Sequence, residues 1–284
     1  MPTLEDYSPA SPITWCPGCG NFGILRALTQ ALVDLELEPH RVLMVSGIGQ
    51  AGKLPHYTRC HVLNGLHGRA IPAAVGAKMA NHELVVIAVG GDGDGYGEGG
   101  NHFINAMRRN HDITYLVHNN QVYGLTKGQA SPTSDFGFVT RTTPQGADIP
   151  LNPIAVALAS DATFIARGLS GDIGHLSGLI QMGIRHRGFA LIDILQPCPS
   201  FNHKNTHSWY RERVYKLEEN GYDPGNKTAA FEKALEWGER IPIGVIFSHE
   251  RTTFEERLLA LDRGPLARRK LDPGMAEKLL GEFL

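Results

Sequence analysis

Cysteine is scarce in this chain, with four among 284 residues. That is too few for a disulfide framework, and a chain of this length buries a core without one. An excess of one charge is also missing: 27 Lys and Arg against 29 Asp and Glu leave −2. This balance argues against nucleic acid or a membrane surface as a partner, since both select a basic excess. No apolar run approaches the roughly 18 residues that a membrane span needs. The opening MPTLEDYSPA is acidic and has no apolar stretch, so it does not read as a signal peptide, and the expected location is the cytoplasm. Glycine breaks the pattern of scarcity: there are 33, well above the usual share of about 7%.

Runs rich in Val, Ile and Leu predict strands over 42–46, 84–90, 113–118, 163–166 and 190–195. Helical spacing falls between them, over 21–35, 70–80, 101–109, 153–160 and 173–187. Strands alternating with helices predict an α/β fold, a mainly parallel sheet with helices on both faces. The strands are nearly continuous apolar runs, as expected where both faces are covered. Such sheets bind ligands at the carboxyl ends of their strands. Residues 1–201 are expected to form this domain. Beyond Phe201 the texture becomes polar, with His203, His207, Trp209 and Tyr210, then turns over 221–225. A helix over 227–240, a short strand or buried anchor over 241–247 and a charged, Leu-spaced helical tail over 255–284 follow. Residues 202–284 therefore read as a C-terminal extension packing on the core or on a partner subunit, not as a second domain.

The predicted strand over 84–90 runs into Gly90-Gly-Asp-Gly-Asp-Gly95. Glycines at a strand end let backbone N–H groups approach a phosphate closely. Asp92 and Asp94 among them would repel a bare phosphate. A magnesium ion resolves the conflict, because it takes carboxylate oxygens together with substrate phosphates. A second oxygen source, Asn120, lies 28 residues beyond Asp92, after the predicted strand over 113–118. A crossover of that length sets the ends of neighbouring parallel strands side by side. A dinucleotide fingerprint fits worse, since Tyr96 stands where G-x-G-x-x-G needs its third glycine. Gly91-Asp92-Gly93 and Asn119-Asn120, with 25 residues between them, resemble the GDG…NN thiamine diphosphate motif. That resemblance implies Mg²⁺ held by the Asp92 carboxylate, the Asn120 side-chain oxygen and the Val122 carbonyl. A lone glycine-rich loop is weak support, and the Asn pair after its own strand is what sharpens it.

The cysteines are placed as well as few. Cys16 and Cys19 form a C-x-x-C just before a predicted helix, Cys198 stands between two prolines, and Cys60 lies alone. Thiolates suit iron–sulfur clusters and zinc. Structural zinc would want a second close pair, and a redox couple would leave two cysteines unexplained. A cluster with scattered ligands would use all four. Spacing alone leaves cluster, zinc and inert buried thiols open.

The ordered segments WCPGCGNFGIL, VSGIGQAGKLP, LHGRAIPAAVGAK, VIAVGGDGDG, RRNHDITYLVHNNQVYGLTKGQASPT and QPCPSFN together resemble the β subunits of 2-oxoacid:ferredoxin oxidoreductases. The resemblance is close over 12–202 and looser to about 247. GLTKGQASPT resembles the 2-oxoglutarate or broad-range branch. The resemblance implies coenzyme A-dependent oxidative decarboxylation of 2-oxoglutarate to succinyl-CoA and CO₂, or the reverse as CO₂ fixation. It further implies thiamine diphosphate, Mg²⁺, a [4Fe–4S] cluster, ferredoxin as acceptor and an α subunit in an α2β2 complex. Cys16, Cys19 and Cys198 match three cluster ligands. The family's fourth cysteine falls where this chain has Gln50, so Cys60 is expected to supply the fourth thiolate.

By the same resemblance, Ile48, Gly49, Gln50, Ala51 and His67 line the cofactor. Gly91, Gly93 and Asp94 meet its diphosphate, and Gly124 and Leu125 its far edge. Lys53, Leu125 and Lys127 match positions near the 2-oxoacid, where a cation suits an anionic substrate. The same chemistry on pyruvate or on 2-oxoacids broadly is the alternative. A non-oxidative thiamine-dependent lyase or a non-catalytic metal protein is the alternative of another class.

Overall fold

The computed structural model describes residues 1–9, 11–270 and 273–283. The strands are β1 (Val42–Ser46), β2 (His61–Asn64), β3 (Val85–Gly91), β4 (Thr114–Asn119), β5 (Val122–Tyr123), β6 (Gln129–Ala130), β7 (Phe164–Leu169), β8 (Ala190–Leu195), β9 (Val214–Lys216) and β10 (Ile241–Ser248). Among the helices are α1 (Asn21–Asp34), α2 (Ala70–Ala80), α3 (Gly100–Arg109), α4 (Pro153–Ala159), α5 (Ile173–Arg185), α6 (His207–Arg211) and α7 (Lys227–Leu235). Eight strands form one sheet in the order β2-β1-β3-β4-β8-β7-β10-β9. From β2 to β7 all neighbours are parallel; β10 runs antiparallel to β7 and carries β9 parallel to itself. The expected α/β class, with a mainly parallel sheet between helices, is the observed one.

Successive strand residues feed opposite faces. Val86 and Ala88 of β3 pack with Phe103, Met107, Ile154 and Leu158 on the side of α3 and α4. Ile87 and Val89 pack with Ile24, Leu28, Leu176 and Ile180 on the side of α1 and α5. That two-sided burial is why these strands read as unbroken apolar runs. Among the described residues no helix is long and apolar enough to cross a membrane.

Two expected helices stop early, each at a glycine. The one expected over 227–240 ends at Leu235, before Gly238 at φ +91°, and the indole of Trp237 in that turn donates to Asp135 at 2.9 Å. The one expected over 173–187 ends at Arg185, before Gly188 at φ +130°. Of the helical tail expected over 255–284, residues 271, 272 and 284 lie outside the described ones. Strand β2 is a short edge strand whose four residues are all exposed, so its two apolar residues, Val62 and Leu63, mark no buried face.

Asn110 closes α3 in a left-handed turn (φ 60°) and is fully buried. Its Oδ1 accepts from the Thr163 hydroxyl (2.7 Å) and the Phe189 N–H (2.9 Å), and its Nδ2 donates to the Arg251 carbonyl (2.8 Å). Three distant segments thus share one amide. Asn110→Gly keeps the backbone conformation and removes the bonds, so it is expected to destabilise the chain by about 2–4 kcal/mol in urea unfolding. A variant as stable as the parent would show that the amide holds nothing.

Candidate functional site

The carboxyl ends of β1, β3 and β4 converge on one pocket of about 90 Å³. The loop after β1 contributes Ile48, Gly49, Gln50 and Ala51, and His67 comes from the turn before α2. The end of β3 contributes Gly91, Asp92, Gly93 and Asp94. The segment after β4 contributes Asn120, Val122, Gly124 and Leu125. Residues scattered over 48–125 thus line one cavity because parallel strands end together.

Past Asp92 the backbone makes one wide helical turn, Gly93–Glu98. Side chains do not fit at two of its glycines. A Cβ at Gly93 would lie 2.2 Å from the Tyr123 ring, and one at Gly95 would lie 1.8 Å from the Tyr115 hydroxyl. The glycines therefore let this turn press against two tyrosines.

Asp92 is only 1% exposed. Its Oδ2 accepts from the hydroxyls of Ser131 (2.5 Å) and Thr133 (2.6 Å). Burial pushes its carboxyl up to about 6, against the pull of those hydroxyls. Asn120 Oδ1 accepts from the Val122 N–H at 3.0 Å. Between them Gln121 takes a left-handed φ of 59° and is pinned by Thr133 and Tyr210. A carboxylate, an amide oxygen and a nearby carbonyl suit a hard divalent cation such as Mg²⁺. Asp94 has a different part. Its Oδ1 accepts from the N–H groups of Ile48 (2.9 Å) and Gly68 (2.8 Å), tying two loops of the pocket together. Burial raises it too, opposed first by the Gly68 N–H. His67 Nδ1 sits 3.1 Å from Glu98.

The expected substrate contacts are less gathered. Leu125 lines the pocket and is 49% exposed. Lys53 is half-buried in the helical turn Ala51–Tyr57, outside the lining. Lys127 is exposed at φ 70° in the hairpin between β5 and β6, also outside the lining.

A second, smaller cavity of about 30 Å³ adjoins the first. Cys16, Cys19 and Cys198 line it, and Gln50, Asn120 and Gly124 line both cavities. The Gly20 N–H donates to the Pro197 carbonyl at 3.2 Å, joining the C-x-x-C turn to the Cys198 loop. Burial pushes the Cys19 thiol up to about 11, and nearby Cys198 and Cys16 add to the rise. Among the described residues no three His, Cys, Asp or Glu are grouped so as to hold a single metal ion. Thiolates are soft donors of the kind that iron–sulfur clusters and zinc take.

Cys60 does not join them. It directly precedes β2, which pairs parallel with β1 in the register Leu43↔His61. Cys60 therefore lies at the amino end of the sheet, and the other three lie past the carboxyl end. Its thiol is 3.7 Å from the Thr58 hydroxyl and packs on the core beside α1. The expected fourth thiolate is displaced by the length of a strand.

Sequence reasoning missed Tyr123, Ser131 and Thr133. Nothing local announces the two hydroxyls, because Ser131 and Thr133 lie 39 and 41 residues beyond the carboxylate they meet.

Residues 46–194 match the family model for the C-terminal binding domain of thiamine pyrophosphate enzymes. Residues 198–263 match the model for the C-terminal region of the pyruvate ferredoxin oxidoreductase β subunit. The 2-oxoacid:ferredoxin oxidoreductase subunit beta of Saccharolobus solfataricus is 49% identical over 258 residues, covering 86% of this chain and 85% of that one. This chain belongs to the 2-oxoacid:ferredoxin oxidoreductase β-subunit family. It is therefore part of an oxidoreductase. The 2-oxoglutarate oxidoreductase subunit KorB of Mycobacterium tuberculosis is 44% identical over 199 residues, covering 70% of this chain and 53% of that one. A solved 2-oxoglutarate:ferredoxin oxidoreductase from Magnetococcus marinus, with 2-oxoglutarate, coenzyme A and succinyl-CoA bound, superposes with a TM-score of 0.90. It is 35% identical, and the match covers 97% of this chain and 95% of that one.

Because folded Asp92 holds its proton up to about pH 6, it favours the cation-free fold at acid pH, below the usual carboxylate range near ~4. That contribution is lost as pH rises through about 6, where the buried charge forms. A divalent cation would meet that charge. Mg²⁺ should thus raise the unfolding midpoint more at neutral pH than at pH about 5, its affinity falling about tenfold per pH unit below Asp92's value. Asp92→Asn should remove the difference. An equal Mg²⁺ response at both pH values would refute the assignment.

Proposed function

We propose that this chain is the β subunit of a 2-oxoglutarate:ferredoxin oxidoreductase. The observation that carries the proposal is the pairing of two cavities, one lined by Asp92, Asn120 and glycines, the other by three thiols, with Gln50, Asn120 and Gly124 shared. Asp92, Asn120 and the Val122 carbonyl would hold Mg²⁺, with the open backbone of Gly91 and Gly93 facing the diphosphate. Ile48, Gly49, Ala51 and His67 would line the rest of the cofactor, held by Asp94 through its two backbone bonds. Thiamine diphosphate, when bound, supplies the electron sink for loss of CO₂ from the 2-oxoacid. Cys16, Cys19 and Cys198 would place an iron–sulfur cluster beside it, on the way to ferredoxin. The acyl group goes to coenzyme A, giving succinyl-CoA. With a strong enough reductant the same chemistry runs backward and fixes CO₂.

Lys53 and Lys127 stand outside the pocket lining and would bring positive charge to the carboxylates of a dicarboxylic substrate once a partner closes the site. The relatives named for 2-oxoglutarate, and the neighbour solved with it, support that substrate. A broader 2-oxoacid range is the second reading, because relatives at 45–49% identity carry only the 2-oxoacid name.

The pocket is half a site. Leu66 and Leu125 beside it are 75% and 49% exposed, and Phe136, Val139 and Ile149 on the segment leading to α4 are 72%, 64% and 82% exposed. Exposed apolar side chains of this kind suit a protein partner. That partner is the α subunit, in an α2β2 complex, which would close the cofactor from the other side.

The α and β chains, co-expressed and purified without oxygen, should couple 2-oxoglutarate and coenzyme A to viologen reduction. Lys127→Ala should raise KM for 2-oxoglutarate about tenfold, the scale of one exposed charge contact in a closed site. Faster turnover of pyruvate would reassign the substrate, and full activity from the β chain alone would remove the shared site.

A further inference from the structure

A family-type cluster has four corners, and this fold brings three thiols to its cavity. Cys60 is held away by the sheet itself. Four register pairs, from Leu43↔His61 to Ser46↔Asn64, join β1 to β2. At about 3.3 Å per residue, β1 alone separates Cys60 from the carboxyl end by more than ~13 Å. Bringing Cys60 across would dissolve that edge of the sheet.

Gln50 occupies the place that Cys60 cannot reach. It lines the thiol cavity. Its carbonyl accepts from the indole of Trp15 at 2.9 Å, which fixes the Gln50 loop against the residue preceding Cys16. Its side-chain Oε1 is buried and has no hydrogen-bond partner in the fold. A buried acceptor without a partner is costly, by about 1–3 kcal/mol. An amide oxygen is a hard donor, weaker toward cluster iron than a thiolate.

We propose that Cys16, Cys19 and Cys198 are the only thiolates on the cluster and that Gln50 faces its fourth iron. This rests on the reading that the chain carries a [4Fe–4S] cluster at all. One iron is then held without cysteine and is the one most easily lost. Under a mild oxidant such as ferricyanide, [4Fe–4S]²⁺ releases one Fe²⁺ and gives one electron to the oxidant, leaving [3Fe–4S]⁺ on the three thiolates. No cysteine bond breaks.

The test uses the α–β complex purified without oxygen, with iron and sulfide analysis and electron paramagnetic resonance. Stepwise ferricyanide should remove about a quarter of the cluster iron and produce the signal of an oxidised three-iron cluster. Gln50→Cys should keep all its iron through the same treatment. Cys60→Ala and Cys60→Ser should match the parent in iron content and in signal, whereas Cys198→Ala should lose the cluster. Loss of iron in both Cys60 variants, with thermal unfolding unchanged, would overturn the proposal and leave the cluster reading intact. So would a parent that resists ferricyanide as well as Gln50→Cys does. A parent complex without iron or sulfide would sink the cluster reading itself, and this proposal with it.

Discussion

Taking the Asp92 carboxylate out of water costs several kcal/mol unless its oxygens are matched, and much of the local structure supplies that match. Ser131 and Thr133 reach it from beyond the β5–β6 hairpin. The hairpin can return to Asp92 only because Gln121 turns the chain sharply after β4 and is pinned on both sides of its amide. Behind this lies a second buried carboxylate, Asp193 on β8. It accepts from the Tyr96 hydroxyl (2.9 Å) and the Asn119 amide (3.1 Å), and Arg167 of β7 stands 3.5 Å from it. Burial raises Asp193 as well, with Arg167 the main opposing influence. The ends of β3, β4, β7 and β8 are thus joined by a polar layer as well as by the apolar core.

That layer divides the acidic groups by task. Asp92 faces the pocket and keeps its charge poorly unless a cation is present. Asp94, two residues on, uses Oδ1 on two backbone donors and so fixes the loops after β1 and before α2. Two aspartates in a phosphate-binding loop look contradictory in sequence. In the fold one suits a metal and the other braces the walls.

The parts of this site that were legible are those written in backbone chemistry. Gly93 must be glycine because a tyrosine ring occupies the space of its Cβ, and Asn120 must follow a strand to meet Asp92. Both constraints leave marks within a few residues. The hydroxyls of Ser131 and Thr133 left none, since serine and threonine are common in loops and their partner lies some 40 positions earlier. The same holds for β10. Its apolar run announces a strand, but nothing local says that it enters the sheet antiparallel beside β7.

Distance along the chain was the poorest guide to the thiols, for a reason general to parallel sheets. Gln50 and Cys60 are ten residues apart. Yet β2 must start at the end where β1 starts if the two are to pair in parallel, so the connection has to carry the chain back along the sheet. Its helical turn, Ala51–Tyr57, does this, and Cys60 arrives at the amino end. Cys19 and Cys198 are far apart in sequence, but each lies where the chain passes the carboxyl ends of the strands, and bonds from Gly20 to the Pro197 carbonyl and from the Gln196 amide to the Cys19 thiol join their loops. In such a sheet, which end of a strand a residue follows decides its neighbours. A cysteine that precedes a strand cannot replace one that follows its parallel neighbour, however short the loop between them.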